Sequence, residues 1–261
     1  MSSRFNSWCP DLKCFQESIN MSMRKLRLLF LLAAIAVFRA PVAYAADTWV
    51  APRTVYYLTR QQQQFPELKV PPAVGSKEAL ADLAAVRDWQ QKRTEEQCAK
   101  ARSEAHAEYD EFFGDISPFP RPLPDGAAAI FKRLKAETDW INVKVKDRFK
   151  RPRPFESAPD LKHCLDRIGG PSYPSGHATV ARIYALVLSH LVPVRRSEFL
   201  ARADEAALNR VISGVHYPSD IEGGKKLADA VYARFLKRRT FQADMKSLKG
   251  YLSVTALPAA K

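Results

Sequence analysis

Apolar residues in this chain recur every three or four positions, whereas the period-two alternation typical of strands is nearly absent. The first such stretch predicts a helix from Lys77 to about Tyr109, with Ser76 as its N-cap. The same spacing predicts further helices at residues 125–149, 175–191, 197–214 and 219–237, and a short one after residue 241. A chain with this pattern folds as helices packed on one another.

Polar caps and proline-rich loops separate these helices. Asp125, Ser175 and Ser197 stand where a side-chain oxygen can cap a helix that follows. Four prolines exclude regular structure from residues 114–124, and residues 150–174 form a second loop rich in proline and glycine. The pattern predicts one all-α domain from about residue 50 to residue 255.

The first 45 residues differ from the rest of the chain. Arg24, Lys25 and Arg27 precede an apolar run of eleven residues at 28–38, and the small-x-small triplet Ala43-Tyr44-Ala45 follows. This order is typical of a secretory signal, and the run is too short for a membrane anchor, which needs about 20 apolar residues. We expect a leader at residues 1–45, with its signal peptide at about 21–45, and a mature chain at 46–261. We therefore expect a periplasmic or secreted protein without stable membrane insertion.

Two cysteines, Cys98 and Cys164, remain after the leader. In an oxidising compartment they can pair, but two separate buried thiols fit the sequence equally well, and their spacing matches no zinc site. The net charge of +13 favours an anionic partner such as nucleic acid, an anionic membrane or a phosphorylated solute. Charge alone does not choose between these partners.

Three clusters of reactive residues lie where predicted helices begin or end. They are the segment from Lys146 to Arg153-Pro154, the segment Pro174-Ser175-Gly176-His177, and the segment from Arg210 through His216 to Asp220. A helix N-terminus such as the one that Ser175, Gly176 and His177 would open attracts anions through its free amides and its dipole. Gly176 there lets the backbone come close to a phosphate.

The side chains of these clusters fit phosphate chemistry. The guanidinium groups of Arg153 and Arg210 match two phosphate oxygens, and Lys146 adds a point charge. One neutral histidine can attack phosphorus while a second, protonated histidine gives a proton to the leaving oxygen. Asp220, four residues after His216, can hold one imidazole N–H and fix its tautomer.

Each cluster alone also has a simpler interpretation: a solvated basic loop, a turn with a helix cap, or a surface His–Asp pair. Together they resemble the type 2 phosphatidic acid phosphatase superfamily, and within it the bacterial class A non-specific acid phosphatases. The superfamily signature K-x6-R-P, P-S-G-H and S-R-x5-H-x3-D is matched in order, with Asn209 in place of the serine. Lys144 with Arg151-Pro152 also satisfies the first block, but the later register agrees better with class A sequences. The resemblance runs from about Pro71 to the last long helix.

The resemblance implies a compact helical bundle of the acid phosphatase/vanadium haloperoxidase type, with the site at one end. It implies His216 as nucleophile, Asp220 as its orienting partner and His177 as general acid. The residues implied to bind the phosphoryl oxygens are Lys146, Arg153, Ser175, Gly176 and Arg210. It implies no metal and no cofactor, and small phosphorylated substrates, which we expect to be phosphate monoesters.

Three other functions remain open. A vanadium-dependent haloperoxidase-like enzyme has similar site residues, although such enzymes are usually much longer. A lipid-phosphate phosphatase at the membrane surface shares the chemistry, although its usual form carries several membrane spans. A basic anion-binding or nucleic-acid-binding protein would account for runs such as Lys237-Arg238-Arg239, but it leaves both histidines without a role. We expect no nucleic-acid partner, and the chain can form a homo-oligomer.

Overall fold

The computed structural model describes residues 55–166 and 168–252, and the leader expected at residues 1–45 lies outside them. Within the described residues the regular elements are all helical, which confirms the all-α prediction. The α-helices are α1 (Lys77–Lys92), α2 (Glu95–Ser103), α3 (Tyr109–Phe113), α4 (Asp125–Phe149), α5 (Pro154–Ser157), α6 (Gly176–Leu191), α7 (Arg196–Ile212), α8 (Pro218–Phe235) and α9 (Arg239–Gly250). Single 3-10 turns occupy Gly114–Ile116 and Pro193–Arg195.

The single helix predicted from Lys77 to about Tyr109 is wrong, because the chain breaks twice there. Arg93 adopts an extended backbone (φ −65°, ψ 145°), and Thr94 caps α2 by accepting a hydrogen bond from the Gln97 amide. The Gln97 side chain returns a bond to the Thr94 amide, which completes a capping box. Farther on, Ala107 has a left-handed backbone (φ 56°), which a helix does not tolerate. Local polar bonds thus outweigh the apolar periodicity.

The predicted N-caps are partly confirmed. Ser76 accepts from the Ala79 amide and Ser175 accepts from the Ala178 amide, as a capping oxygen does. The cap prediction at Ser197 is wrong, since α7 begins one residue earlier, directly after the 3-10 turn. Asp125 is the first residue of α4 rather than its cap, and there its carboxylate faces the positive end of the helix dipole.

The core is built around α6, which is apolar on nearly all sides and packs against α4, α7 and α8. An aromatic cluster fills the space between α3, α4, α6 and α7. Its members are Tyr109, Phe113, Phe131, Tyr184 and Phe199. The Tyr109 and Phe131 rings stack with their centroids 3.9 Å apart, and Tyr184 meets Phe131 edge-on at 5.4 Å. A rigid core of this kind fixes the directions in which the helix ends point.

Two glycines allow α8 to approach the beginning of α6. A Cβ on Gly224 would lie 2.6 Å from the Ser175 carbonyl oxygen, and one on Gly223 would lie 2.3 Å from the Tyr173 ring. Any larger residue would push the two helices apart. The close approach brings the first turn of α8 against the segment that precedes α6.

A disulfide joins Cys98 in α2 to Cys164 in the loop before α6, with their Cα atoms 5.8 Å apart. The sequence left open a disulfide or two separate buried thiols, and the structure contains the disulfide. Among the described helices, none combines the length and the hydropathy that crossing a bilayer requires.

Candidate active site

The candidate site residues lie at the ends of α4, α6, α7 and α8 and in the loops between them. Lys146 is in the last turn of α4, Arg153 directly precedes α5, and Arg210 is in the last turn of α7. Ser175 caps α6 and is followed by Gly176 and His177, His216 lies in the loop between α7 and α8, and Asp220 is in the first turn of α8.

His216 and Asp220 form a buried pair. The imidazole is 3 % exposed, and its Nδ1 donates to Asp220 Oδ2 at 3.3 Å. With the proton on Nδ1, the other nitrogen, Nε2, carries a lone pair. Arg153 Nη1 lies 3.2 Å from this Nε2 and can only donate, which agrees with the assignment. The arrangement therefore presents a neutral imidazole with Nε2 as its nucleophilic atom.

Burial and the Arg153 charge lower the pKa of His216 to about 3. The hydrogen bond to Asp220 opposes this shift but does not cancel it. For Asp220 itself, burial alone would raise the pKa, but the hydrogen bond from His216 and the charge of Arg151 outweigh it and lower the pKa to about 2. The pair is therefore neutral imidazole and ionised carboxylate over most of the pH range.

Backbone carbonyls hold Arg153 in place. Its Nε donates to Gly170 O at 2.9 Å, its Nη2 to Gly169 O at 3.2 Å and its Nη1 to Val215 O at 2.9 Å. Burial lowers its pKa to about 10, which leaves it charged at neutral pH. A guanidinium fixed in this way is preorganised for an anion at His216.

Lys146 and Arg210 add two more basic groups. Lys146 Nζ donates to Pro171 O at 2.5 Å and to Ser172 O at 3.0 Å, and burial together with Arg153 lowers its pKa. Arg210 is 1 % exposed and donates from Nη1 to Ala101 O at 3.3 Å. Its buried Nε has no hydrogen-bond partner among the described residues. Burial and Arg153 lower the pKa of Arg210 to about 10, so it also remains charged at neutral pH.

The beginning of α6 supplies both amides and the Ser175 hydroxyl. Ser175 Oγ is buried and accepts from the Ala178 amide, and the Ser175 amide donates to Asp220 O at 3.0 Å. Helix geometry leaves the amides of Gly176 and His177 without a partner inside the helix. A Cβ on Gly176 would meet no atom within 4 Å, so its face of the backbone borders open space.

His177 is held from one side by the segment that follows α2. Its Nε2 donates to Glu104 O at 3.0 Å and to Ala105 O at 3.1 Å. A carbonyl oxygen only accepts, so the Nε2 proton is fixed, and Nδ1 is the nitrogen left to exchange a proton. Burial, Arg210 and His216 lower the pKa of His177 well below its usual value.

Sequence reasoning missed four supporting residues, namely Asp82, Glu104, Arg151 and Ser172. Ser172 donates to Asp220 Oδ2, and Arg151 donates to Asp220 Oδ1 at 2.7 Å and to Asp82 Oδ2 at 2.7 Å. Asn209 donates from Nδ2 at 2.9 Å to the buried carboxylate of Glu104, whose carbonyl receives His177. Arg151 carried one signal in the sequence, since it satisfies the first signature block in the earlier register.

Of the two residues in the earlier register of the first block, Arg151 contacts Asp220 but Lys144 lies elsewhere. Lys144 donates to Gln63 Oε1 at 3.1 Å and lies over the Trp140 ring, away from His216. Among the described residues, no three His, Cys, Asp or Glu side chains gather as a metal-binding group.

Known proteins resemble this chain over the segment that carries the candidate site residues. Residues 134–239 match the family model of the PAP2 superfamily, and all eight candidate site residues lie inside that range. A non-specific acid phosphatase of Providencia stuartii is 27% identical over 242 residues, which cover 87% of this chain and 97% of that protein. A lipid A 1-phosphatase of Rhizobium johnstonii is 32% identical over 124 residues, covering 48% of this chain and 47% of that protein.

The chain spans about half the length of the other curated acid phosphatases that it matches. Among solved structures, a bacterial vanadium-dependent iodoperoxidase superposes with a TM-score of 0.52 at 21% identity. The superposition covers 66% of this chain and 52% of the iodoperoxidase, and it shows a shared all-α fold.

Proposed function

We propose that the chain, whose residues 134–239 match the family model of the PAP2 superfamily, is an exported acid phosphatase that hydrolyses phosphate monoesters. One observation carries the proposal: a buried neutral imidazole, held at Nδ1 by Asp220, presents Nε2 beside the Arg153 guanidinium. This is the arrangement of an oriented nucleophile next to a site for a dianion.

The reaction that fits has two steps. In the first, the His216 Nε2 lone pair forms a bond to phosphorus, the bond from phosphorus to the ester oxygen breaks, and His177 gives its proton to that oxygen. In the second, a water oxygen attacks the phosphohistidine while His177 takes one water proton. The phosphorus–nitrogen bond then breaks, and its electron pair returns to Nε2. Free phosphate leaves, and both histidines recover their starting protonation.

The cationic groups would stabilise the charge that develops on the phosphoryl oxygens. Arg153, Arg210 and Lys146, together with the amides of Gly176 and His177, supply positive charge from several sides. A divalent metal ion would stabilise the phosphoryl oxygens through the same kind of positive charge. Because side chains and amides already supply it, we propose that hydrolysis proceeds without a metal ion. The Ser175 hydroxyl accepts the capping bond from the Ala178 amide, and its own O–H would be the donor to a phosphoryl oxygen.

Export is part of the proposal because of the basic and apolar leader at residues 1–45. The disulfide between Cys98 and Cys164 supports it, because such bonds persist in oxidising compartments. Sequencing the N-terminus of the secreted protein tests it, and an intact leader on the product would contradict it.

A second candidate function is dephosphorylation of lipid phosphates at a membrane surface. The likeness to a lipid A 1-phosphatase favours it, and the chemistry at His216 would be the same. A steady-state panel separates the two: p-nitrophenyl phosphate, nucleotides and sugar phosphates against lipid A and phosphatidic acid in vesicles. Preference for the vesicle substrates would identify lipid phosphates, rather than phosphate monoesters in solution, as the substrate class.

The mechanism is tested by rapid quench with a labelled phosphate ester. We expect an acid-labile, base-stable phosphopeptide containing His216, and turnover that survives exhaustive EDTA treatment. His216→Ala should abolish both label and turnover. His177→Ala should slow alkyl phosphates by roughly 10²–10⁴-fold and p-nitrophenyl phosphate by less, because a good leaving group needs less protonation.

The matched control is His190→Ala, which removes an exposed histidine from the last turn of α6. It should leave both turnover and label unchanged. Label on His177, full activity in His216→Ala, or activity lost on chelation and restored by a divalent ion would refute the mechanism.

A further inference from the structure

The proposed phosphate site gives Arg153 a role but gives none to Arg151, two residues earlier. Arg151 does not reach His216. It is 8 % exposed, and its three hydrogen-bonded contacts are all with side chains of α1 and α8. A buried guanidinium that binds no substrate requires another explanation.

The contacts of Arg151 converge on Asp220. Its Nη1 donates to Asp220 Oδ1 at 2.7 Å and to Ser219 Oγ at 2.7 Å. Its backbone carbonyl accepts from the Ser172 amide at 2.7 Å, and the Ser172 hydroxyl donates to Asp220 Oδ2. Arg151 therefore fixes one carboxylate oxygen directly and the other through Ser172. The second oxygen is also the one that receives His216 Nδ1.

Asp82 holds Arg151 from the other side. Its Oδ2 accepts from Arg151 Nη2 at 2.7 Å, and its Oδ1 accepts from the Ser219 amide at 3.0 Å. The Arg151 guanidinium also lies over the Tyr217 ring, 4.1 Å from its centroid. The planar fork thus spans two buried carboxylates, which a lysine ammonium could not do with the same geometry.

We propose that Arg151, anchored by Asp82, is a positioning residue for phosphoryl transfer, which holds the Asp220 carboxylate in the orientation that directs His216 Nε2 at phosphorus. The proposal rests on the proposed function. It assigns Asp82, on α1, a part in a site whose other members lie on α4 and beyond.

The charges of this cluster predict opposite effects for two neutral substitutions. The charged or titratable groups that face His216 are Asp220, Lys146, Arg153 and His177, and Arg210 acts on His177. These stay unchanged in both variants. Removing the Arg151 charge leaves Asp220 uncompensated, which favours the imidazolium form of His216. Removing the Asp82 charge takes away one of the two carboxylates that compensate Arg151, which disfavours the imidazolium form.

The test uses Arg151→Gln, Arg151→Lys and Asp82→Asn in the full protein. For Arg151→Gln we expect kcat to fall by roughly 10- to 100-fold, as when other outer residues that orient a reactive group are lost. The KM should change by less than about threefold, because the phosphate-binding groups are intact. The acid limb of the kcat/KM profile should move to higher pH in Arg151→Gln and to lower pH in Asp82→Asn. Arg151→Lys keeps the charge, so it should lose kcat without moving the limb.

Arg87→Gln is the matched control, because it removes an arginine of α1 that is exposed and paired with Asp160 on the surface. It should leave kcat and the profile unchanged. Circular dichroism and thermal unfolding establish that each variant is folded, and if Arg151→Gln is not, Arg151→Lys and Asp82→Asn carry the test. A folded Arg151→Gln with wild-type kcat and an unmoved acid limb would overturn the proposal.

A measurement without turnover separates this proposal from the proposed function. Nitrogen-15 NMR of the imidazole reports the tautomer and titration of His216 whether or not the protein is a phosphatase. We expect the Nδ1–H tautomer in the wild type and titration at higher pH in Arg151→Gln. An unchanged titration in that variant refutes the positioning role. The absence of phosphatase activity with a shifted titration refutes only the proposed function.

Discussion

Replacing both cysteines of the disulfide, in the double variant Cys98→Ser/Cys164→Ser, tests how far the bond stabilises the fold. The bond closes a chain segment with a sequence separation of 66 residues. In the chain-entropy account, closing a loop of that length in the unfolded state is worth about 4 kcal/mol at 25 °C. In a domain of 150–250 residues, each kcal/mol shifts the Tm by about 2–4 °C. We therefore expect the double variant to unfold roughly 10–15 °C lower.

The assay is calorimetry at neutral pH on protein whose disulfide is first verified by mass spectrometry of non-reduced peptides. Two comparisons isolate the bond from the serine side chains: oxidised against reduced wild type, and reduced wild type against the double variant. The first pair should differ by the full shift, and the second pair should agree within about 2 °C. Equal Tm values for the verified oxidised protein and the double variant would refute the loop-entropy reasoning.

Two further expectations follow from the glycines and the histidines. Gly224→Ala should lower the free energy of unfolding by about 1–3 kcal/mol, because its Cβ would meet the Ser175 carbonyl at 2.6 Å. In Gly176→Ala the added methyl group meets no atom within 4 Å, so the variant should keep its Tm. Its kcat/KM should fall, because the methyl group would face the proposed anion. Thermal unfolding and steady-state kinetics of both variants test this, and equal Tm losses would contradict it. The kcat/KM profile should be bell-shaped with its maximum in acid. His216 must be neutral, and its pKa of about 3 sets the acid limb. His177 must be protonated, and its pKa, well below its usual value, sets the alkaline limb. A profile that rises into alkaline pH would contradict these roles.

The helices could be predicted from the sequence because their signals are local. Ser76 and Ser175 cap the helices that they were expected to cap, and α4 ends at Phe149 as its periodicity indicated. The break at Arg93 was missed for a physical reason. The capping box at Thr94 competes with a continuous apolar stripe, and packing with the rest of the chain decides between them.

The supporting residues of the candidate site could not be predicted, because their partners are distant along the chain. Asp82 reaches Ser219 across 137 positions, and Glu104 reaches Asn209 across 105 positions. No spacing pattern encodes contacts of that range. Ser172 lies only three residues before Ser175, but a serine that follows a proline is typical of any loop.

The candidate site gathers positive charge that the protein itself compensates only in part. Burial lowers the pKa of Arg153 and of Arg210 to about 10, which means that folding works against both charges. The segments that hold these groups are tied together covalently, since the disulfide at Cys98 joins α2 to the loop that carries the carbonyls of Gly169 and Gly170. Because α2 also accepts from Arg210 at Ala101 O, one cross-link constrains the anchors of both arginines. The fold thus maintains a cluster of buried cationic side chains that is electrostatically unfavourable by itself, and an anion of matching charge would relieve it.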